Sequence, residues 1–337
     1  FSHQLMESAM NQRPALSCSD CDSTLDRRTF VRTLGATALA AAAGPALFSR
    51  FAHAAPSEKS DAEGVVGKLY GTLSDEQKKT ICFDFDNELR KRINANWHIT
   101  KPTIGSDFYT KDQQALIDDI VKKVTSADGY ERIKKQTEYD NGGLGAYSIA
   151  LFGTPGSGKC EWELTGRHLT LRADGNSVDK AAFGGPIVYG HGEEDPKQNL
   201  FHYQTKQTNE VFKALDAKQA EKALLPKAPS EAHVPLQGER PRFPGVAVSE
   251  FSADQKKLVE ETLKVLLAPY RTEDVDEVME ILKSTGGVDK LYMAFYQQED
   301  LNSDKEWDIW RVEGPSMVWH FRGAPHVHAY INIGVKA

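Results

Sequence analysis

The C-terminal end of the chain constrains the fold most. Four strand-like runs lie near 290–298, 307–313, 316–322 and 326–333, rich in β-branched and aromatic residues. Glu313-Gly314-Pro315-Ser316 and Arg322-Gly323-Ala324-Pro325 supply turn chemistry between them. Strands joined by such short connections must pair antiparallel, because a parallel partner needs a crossover of roughly a dozen residues or more. A meander therefore closes the chain. Further strands are expected near 146–152, 161–172 and 177–183. Helices are expected near 74–97, 110–126, 204–224, 253–268 and 273–284, the last stopped by Gly286-Gly287. Capping boxes mark several starts: Ser74 with Gln77, Thr110 with Gln113, Ser252 with Gln255, and more loosely Asp216 with Gln219. Their spacing is uneven and the sequence between them does not match. They read as shared helix-start chemistry rather than a solenoid. Helices and strands that run in groups, without strict alternation, indicate an α+β fold with a mainly antiparallel sheet and helices packed on it.

Residues 71–337 are expected to form one such domain, with a Pro-rich loop at 226–249, after a tether at 55–70. The N-terminus reads as a processing segment. Asp26-Arg27-Arg28-Thr29-Phe30 precedes a small, apolar run and then Ala52-His53-Ala54. Together these resemble a twin-arginine export signal, with residues 1–54 removed. That predicts the twin-arginine machinery as a partner of the precursor and a periplasmic or extracellular location. Cys18 and Cys21 would leave with the signal. Cys82 and Cys160 remain, as one disulfide or as two unrelated buried thiols. With a net charge of -7 and no basic cluster past the N-terminal region, the sequence does not suggest nucleic-acid binding. No later apolar run reaches the length of about 20 residues that spans a bilayer.

One motif invites a nucleotide. Gly153-Thr154-Pro155-Gly156-Ser157-Gly158-Lys159 fits the pattern of a phosphate-binding loop. Cys160 stands where Ser or Thr should hold magnesium, and a thiol is a poor ligand for that hard ion. A phosphate loop also opens a helix. Here Glu161 to Leu171 alternates with period two, so the loop reads as hairpin punctuation and predicts no nucleotide.

The ten histidines are more informative. His326 and His328 stand two apart in a strand, so both imidazoles share one face. His168, in an upstream strand, can add a third ligand. Three imidazoles with an open position suit Cu, Zn or Fe. His191, His202 and His320 are weaker candidates, and Glu163 and Glu313 are the acids expected near enough to act as a base. Strand histidines are also often ordinary polar residues with hydrogen-bond partners. Patterns such as G-x-S-x-G, which mark a covalent hydrolase, do not occur.

Gly166-Arg167-His168-Leu169, Phe183-Gly184-Gly185-Pro186, Val312-Glu313-Gly314-Pro315 and His326-Val327-His328 follow one another in a distinctive order. With Leu73-Ser74-Asp75-Glu76-Gln77 and Leu215-Asp216-Ala217-Lys218-Gln219, they resemble the bacterial and fungal family catalogued as domain of unknown function 3500. The resemblance runs from about residue 70 to 333. The family pattern has Gly-His-His-Leu where Arg167 replaces the first His here. It also follows the last H-x-H with an Arg-Asp pair, where this chain has Asn332 and Ile333. The resemblance implies architecture and matches His168, His326 and His328, but it carries no activity. Two functions fit. One is an exported metal-binding enzyme of redox or hydrolytic type that acts on an unidentified small molecule. The other is a non-catalytic periplasmic or envelope protein with structural histidines, in which Trp307, Trp310 and Trp319 line a groove or pack the sheet core.

Overall fold

The computed structural model describes residues 55–240 and 242–336. The export signal expected over 1–54 lies outside them. The described residues build an α+β fold around one sheet of eleven strands.

The helix starts expected from sequence organise the chain into two halves. In the first half, α1 (Asp61–Thr72), α2 (Asp75–Ile81), β1 (Cys82–Phe83), α3 (Lys111–Lys123) and α4 (Ala127–Asn141) precede four strands. Those are β2 (Ser148–Gly153), β3 (Cys160–Gly166), β4 (Leu169–Ala173) and β5 (Ile187–His191). The second half repeats the order with α5 (His202–Lys213), α6 (Ala217–Ala223), β6 (Leu224–Leu225), β7 (Val246–Ala247), α7 (Ala253–Leu267) and α8 (Thr272–Ser284). It ends with β8 (Tyr292–Tyr296), β9 (Ile309–Gly314), β10 (Met317–Arg322) and β11 (Val327–Ile333).

The strand order, β1-β2-β3-β4-β5-β11-β10-β9-β8-β6, places corresponding strands at mirrored positions from the two edges, with β7 added beside β8. Both edge pairs, β1 with β2 and β6 with β8, are parallel, and every other pair is antiparallel. The halves meet where β5 pairs β11.

The match extends to single hydrogen bonds. Gln77 and Gln113, 36 residues apart, exchange amide bonds at 2.9 and 3.1 Å. Gln219 and Gln255, again 36 apart, do the same at 3.3 and 2.8 Å. Each of these glutamines also closes its own helix's capping box. Gly166 and Gly314 end corresponding strands. A Cβ on Gly166 would meet the Tyr147 ring at 2.0 Å, and one on Gly314 would meet Leu291 at 2.8 Å. The capping boxes are helix-start chemistry, and they also mark a doubling that their uneven spacing concealed. Ser74 corresponds to Asp216 and Thr110 to Ser252, so the repeating unit is half the domain, far longer than a solenoid module.

Several boundaries also differ from expectation. The stretch expected as a tether contains α1, which buries Ala62, Val65, Val66 and Leu69 at helical spacing. The helix expected over 74–97 stops at Ile81. Phe83, Phe85 and Leu89 pack instead against Trp97, Ile99 and Phe152 on the sheet face away from the α-helices. Helix α4 was not foreseen, because its core face holds Gly129, Gln136 and Thr137 beside the single apolar Ile133. The helix expected over 204–224 breaks at the Asp216 cap. The strand expected over 161–172 folds back at Arg167-His168. In place of the strand expected over 177–183 stands a short turn at Ala182–Gly184, and β5 follows it. The four C-terminal strands lie where they were expected.

The helices bury one sheet face in two apolar clusters, one per half. Trp307, Trp310 and Trp319 belong to this core. The opposite face mixes smaller apolar clusters with buried polar side chains. Alternation sends Glu161, Glu163, Arg172, His320, Arg322 and His328 to that side. Residues 84–104 cover it in the first half, where Arg90 donates to Glu161 at 3.0 Å and the Ile99 N–H donates to Thr165 at 2.8 Å. The Pro-rich segment covers it in the second half, where His233 and Val234 carbonyls accept from Arg311 and Asn332, both at 2.8 Å.

Gln77→Ala and Gln219→Ala are each expected to lower unfolding free energy by about 1–3 kcal/mol, since each orphans a buried amide. Gln77→Ala with Gln113→Ala should cost less than the two singles combined, as coupled neighbours do. Urea denaturation of wild type, Gln219→Ala, the two singles Gln77→Ala and Gln113→Ala and their double checks this; additive losses in the cycle would show that the amide pair is not a coupled unit.

Candidate metal centre

The site forms at the seam between the halves. Hairpin β3–β4 turns through two residues, Arg167 and His168, and His168 adopts a left-handed φ of 56°. An L-residue reaches that region at some cost, and here the fold aims the imidazole under β5. His326 and His328 enter from the start of β11, on one face as their spacing requires. His328 lies opposite Gly190 in β5. That glycine is what lets the third histidine approach: a Cβ there would stand 3.2 Å from the His168 Cβ and 2.2 Å from the Val327 carbonyl oxygen.

One ligand nitrogen from each of His168, His326 and His328 lies within 4.8 Å of the others. All three residues are buried. The Nε2 atoms of His326 and His328 face each other at 3.1 Å. Two nitrogens about 2.0–2.1 Å from a shared tetrahedral ion stand roughly 3.3 Å apart, so the observed gap is close to a ligand-pair distance.

Two carboxylates hold the rings. Asp140, at the end of α4, accepts from His168 Nδ1 at 2.8 Å, and its other oxygen accepts the Gly192 N–H at 2.8 Å. Glu231, from the Pro-rich segment, stands 2.8 Å from His328 Nδ1 and 2.9 Å from Arg322 Nε. Arg322 Nη2 also lies 2.6 Å from that Nδ1. The tautomer decides between them: with the proton on Nδ1, Glu231 receives the His328 N–H and Arg322 pairs with Glu231, which leaves Nε2 as the ligand atom. Both contacts turn the ligand nitrogens inward, as carboxylate–histidine pairs do around metals. Burial, followed by the charge of His328 and then of Arg322, lowers the His326 pKa to about 2. Burial and Arg322 push that of His328 well below its usual value. Both rings are therefore neutral, the form that binds a metal.

The His168–Asp140 pair has no ionisable counterpart in the second half, although that half supplies His326 and His328 from β11. Where the first half has His168 on Asp140, the second has Ser316 on Thr285, with hydroxyl oxygens 2.7 Å apart. At these matching positions one half has a histidine on a carboxylate and the other a neutral hydrogen bond.

The weaker candidates do not join the cluster. His191 points to the other sheet face, accepts the Leu200 N–H at 3.2 Å and packs on Tyr139. His202 begins α5 and lies 4.0 Å from Glu306. His320 shares the polar face but accepts from Arg311 at 3.3 Å. Glu163 is held 3.2 Å from Arg172 in a buried group with Glu161 and Arg90, and burial raises its pKa to about 8. Glu313 accepts from Gln237 and faces Arg311. Both acids are engaged away from the three imidazoles. Cys82 and Cys160 are free thiols, so the disulfide alternative falls. Gly153–Lys159 joins β2 to β3 and opens no helix. A Cβ on Gly153 would stand 2.0 Å from the Lys159 carbonyl oxygen, which explains that glycine as part of a tight hairpin. No helix among the described residues is long and apolar enough to cross a membrane.

Fold and site together define a doubled α+β protein with a buried three-histidine cluster able to hold a metal ion. The chain belongs to the family described as Protein of unknown function (DUF3500), which it matches over residues 57–331. No curated protein and no solved structure matches it.

The neutral rings make a pH prediction. A histidine whose folded pKa is depressed contributes stability that is complete above about 6.5 and is lost as pH falls from there towards the folded value. For His326 that window runs from about 6.5 to about 2, at up to about 1.4 kcal/mol per pH unit. In chelator-treated protein, His326→Asn should flatten the fall in stability between roughly pH 6.5 and 4.5. Glu163 titrates with the opposite sign, but it is common to both proteins and cancels in the comparison. Parallel curves for wild type and variant would show that His326 is already protonated in the folded state.

Proposed function

We propose that this protein is an exported metalloenzyme in which His168, His326 and His328 bind one transition metal ion, Cu, Zn or Fe. The ion would perform redox or hydrolytic chemistry on a small molecule in the periplasm or outside the cell. One observation carries the reading: two imidazoles are each held by a carboxylate from a different element, Asp140 and Glu231, and one nitrogen of each of the three histidines lies within 4.8 Å of the others. A histidine that merely needs a partner requires one hydrogen bond, not convergence on a common point. Three protein ligands leave a fourth position for water or substrate, as in catalytic rather than structural sites. The twin arginines and the Ala52-His53-Ala54 site support export, by a route that carries folded cargo.

A second reading keeps the histidines structural. It is favoured by their burial and by the 3.1 Å contact, which His326 Nε2–H can make to His328 Nε2 without a metal.

Metal analysis separates the two. Purified full-length protein should contain close to one equivalent of Cu, Zn or Fe, and His328→Ala should lose it. Asp140→Ala and Glu231→Ala should weaken metal affinity about 10–100-fold, the usual cost of removing a partner behind a ligand. Protein that purifies without metal and takes up none on incubation would leave the structural reading in place.

A further inference from the structure

A second junction between the halves forms where α8 meets the connection from β4 to β5. Arg271, at the start of α8, donates to both Glu63 oxygens on α1 at 2.8 and 2.9 Å and to Asp274 Oδ2 at 3.0 Å. Asp174 follows β4 and accepts the Val178 N–H at 3.1 Å, while Glu63 accepts the Gly175 N–H at 3.2 Å. Phe183 packs on Tyr270, with ring centroids 4.9 Å apart. Gly184 permits the close turn, since a Cβ there would stand 2.5 Å from the Asp174 Cβ. The connection is thus clasped by α1 of the first half and α8 of the second.

The clasp holds more acid than base. Glu277, one turn after Asp274 on the same side of α8, is 5% exposed and makes no hydrogen bond or ion pair among the described residues. Asp274 Oδ1 is likewise buried without a hydrogen-bond partner. The main charges acting on Glu277 are Asp174, Asp274, Arg271 and Glu280, and those acting on Asp274 are Arg271, Glu63 and Asp174. Glu161 and Arg172 face Asp174 from the sheet. Both arginines are committed, Arg271 to Glu63 and Asp274, Arg172 to Glu161 and Glu163. An ionised carboxylate buried without a partner is costly, so it takes up a proton or a cation. Among the described residues only the three histidines bring three ligand atoms within 4.8 Å of one another, so these acids form no preset cation cage. The proton remains. Burial, more than any neighbour, raises the pKa of Asp174 to about 6, of Asp274 to about 7 and of Glu277 to about 8.

We propose that this junction is a proton-operated clasp, closed over the β4–β5 connection when Glu277 and Asp274 are protonated and loosened when both ionise. Carboxyls raised in the folded state contribute stability that is complete below about pH 4 and is lost as pH rises through their folded values. Loosening therefore falls near neutral pH. The connection runs straight into β5, whose Gly190 faces His328, so the clasp acts on the seam between the halves.

Hydrogen exchange of the full-length protein tests this, read in peptides covering 174–186 and 272–284 and corrected for the intrinsic effect of pH on exchange. In wild type the opening constant should rise up to about tenfold per pH unit for each acid released, between roughly pH 5.5 and 8. Glu277→Gln, which mimics the protonated acid, should lower that slope by close to one proton and raise protection at pH 8 about tenfold or more. Glu280→Gln, exposed on the same helix, should leave the slope unchanged. A wild-type slope near zero, or the wild-type slope retained in Glu277→Gln, would overturn the clasp. Protection at pH 8 restored by added calcium would show that the acids hold a cation and would overturn it as well. Should Glu277→Gln not fold, Asp274→Asn, which keeps an acceptor for Arg271, must show the same loss of slope.

Discussion

The antiparallel pairing of β5 with β11 is the contact on which the rest of the structure depends. It joins the two halves into one sheet and sets His328 opposite Gly190. Only a residue without a side chain leaves room there for His168 to come in from the β3–β4 turn. Sliding the register by one residue would send His328 to the helix-covered face and replace Gly190 with a bulky neighbour. The site is thus a property of the seam, and neither half could build it alone.

The same seam explains the unequal sheet faces. Helices from both halves supply apolar side chains to one side, so that side closes by ordinary hydrophobic burial. The other is covered by segments with little regular structure, whose backbone groups need partners. Charged and polar side chains of the sheet provide them, as when Arg172 donates to the Arg90 carbonyl and Arg311 to that of His233. Such a face is expensive to bury unless its ions are paired, and Glu161, Arg172 and Arg90 are. A metal site fits naturally among them, because imidazoles and orienting carboxylates are further members of the same buried network.

Much of this was legible in the sequence, though unevenly. Turn chemistry located the C-terminal meander, and period-two spacing put His326 and His328 on one face. Convergence with His168 was not legible, because it depends on register across β4, β5 and β11. Asp140 was hidden by α4, whose core face carries Gln136 and Thr137 where an apolar stripe would have announced a helix. Glu231 sits in a proline-rich segment, where one acid among many gives no signal. The doubling was visible but misread. The capping boxes repeat in alternation, Ser74 with Asp216 and Thr110 with Ser252, while the residues between agree only in role, as Tyr147 and Leu291 do beneath their glycines. Within the site, His168 answers to Ser316 and Asp140 to the neighbourhood of Thr285, so comparing the halves residue by residue would not have exposed it.

X-ray absorption at the metal edge of the loaded protein tests the central claim most directly. Three imidazole nitrogens and one light oxygen or nitrogen donor are predicted, with metal–nitrogen distances of about 2.0–2.1 Å if the ion is zinc. His168→Ala should remove one imidazole from the shell. A shell with fewer than two imidazoles, one dominated by sulfur, or one unchanged by His168→Ala would contradict a centre built from His168, His326 and His328.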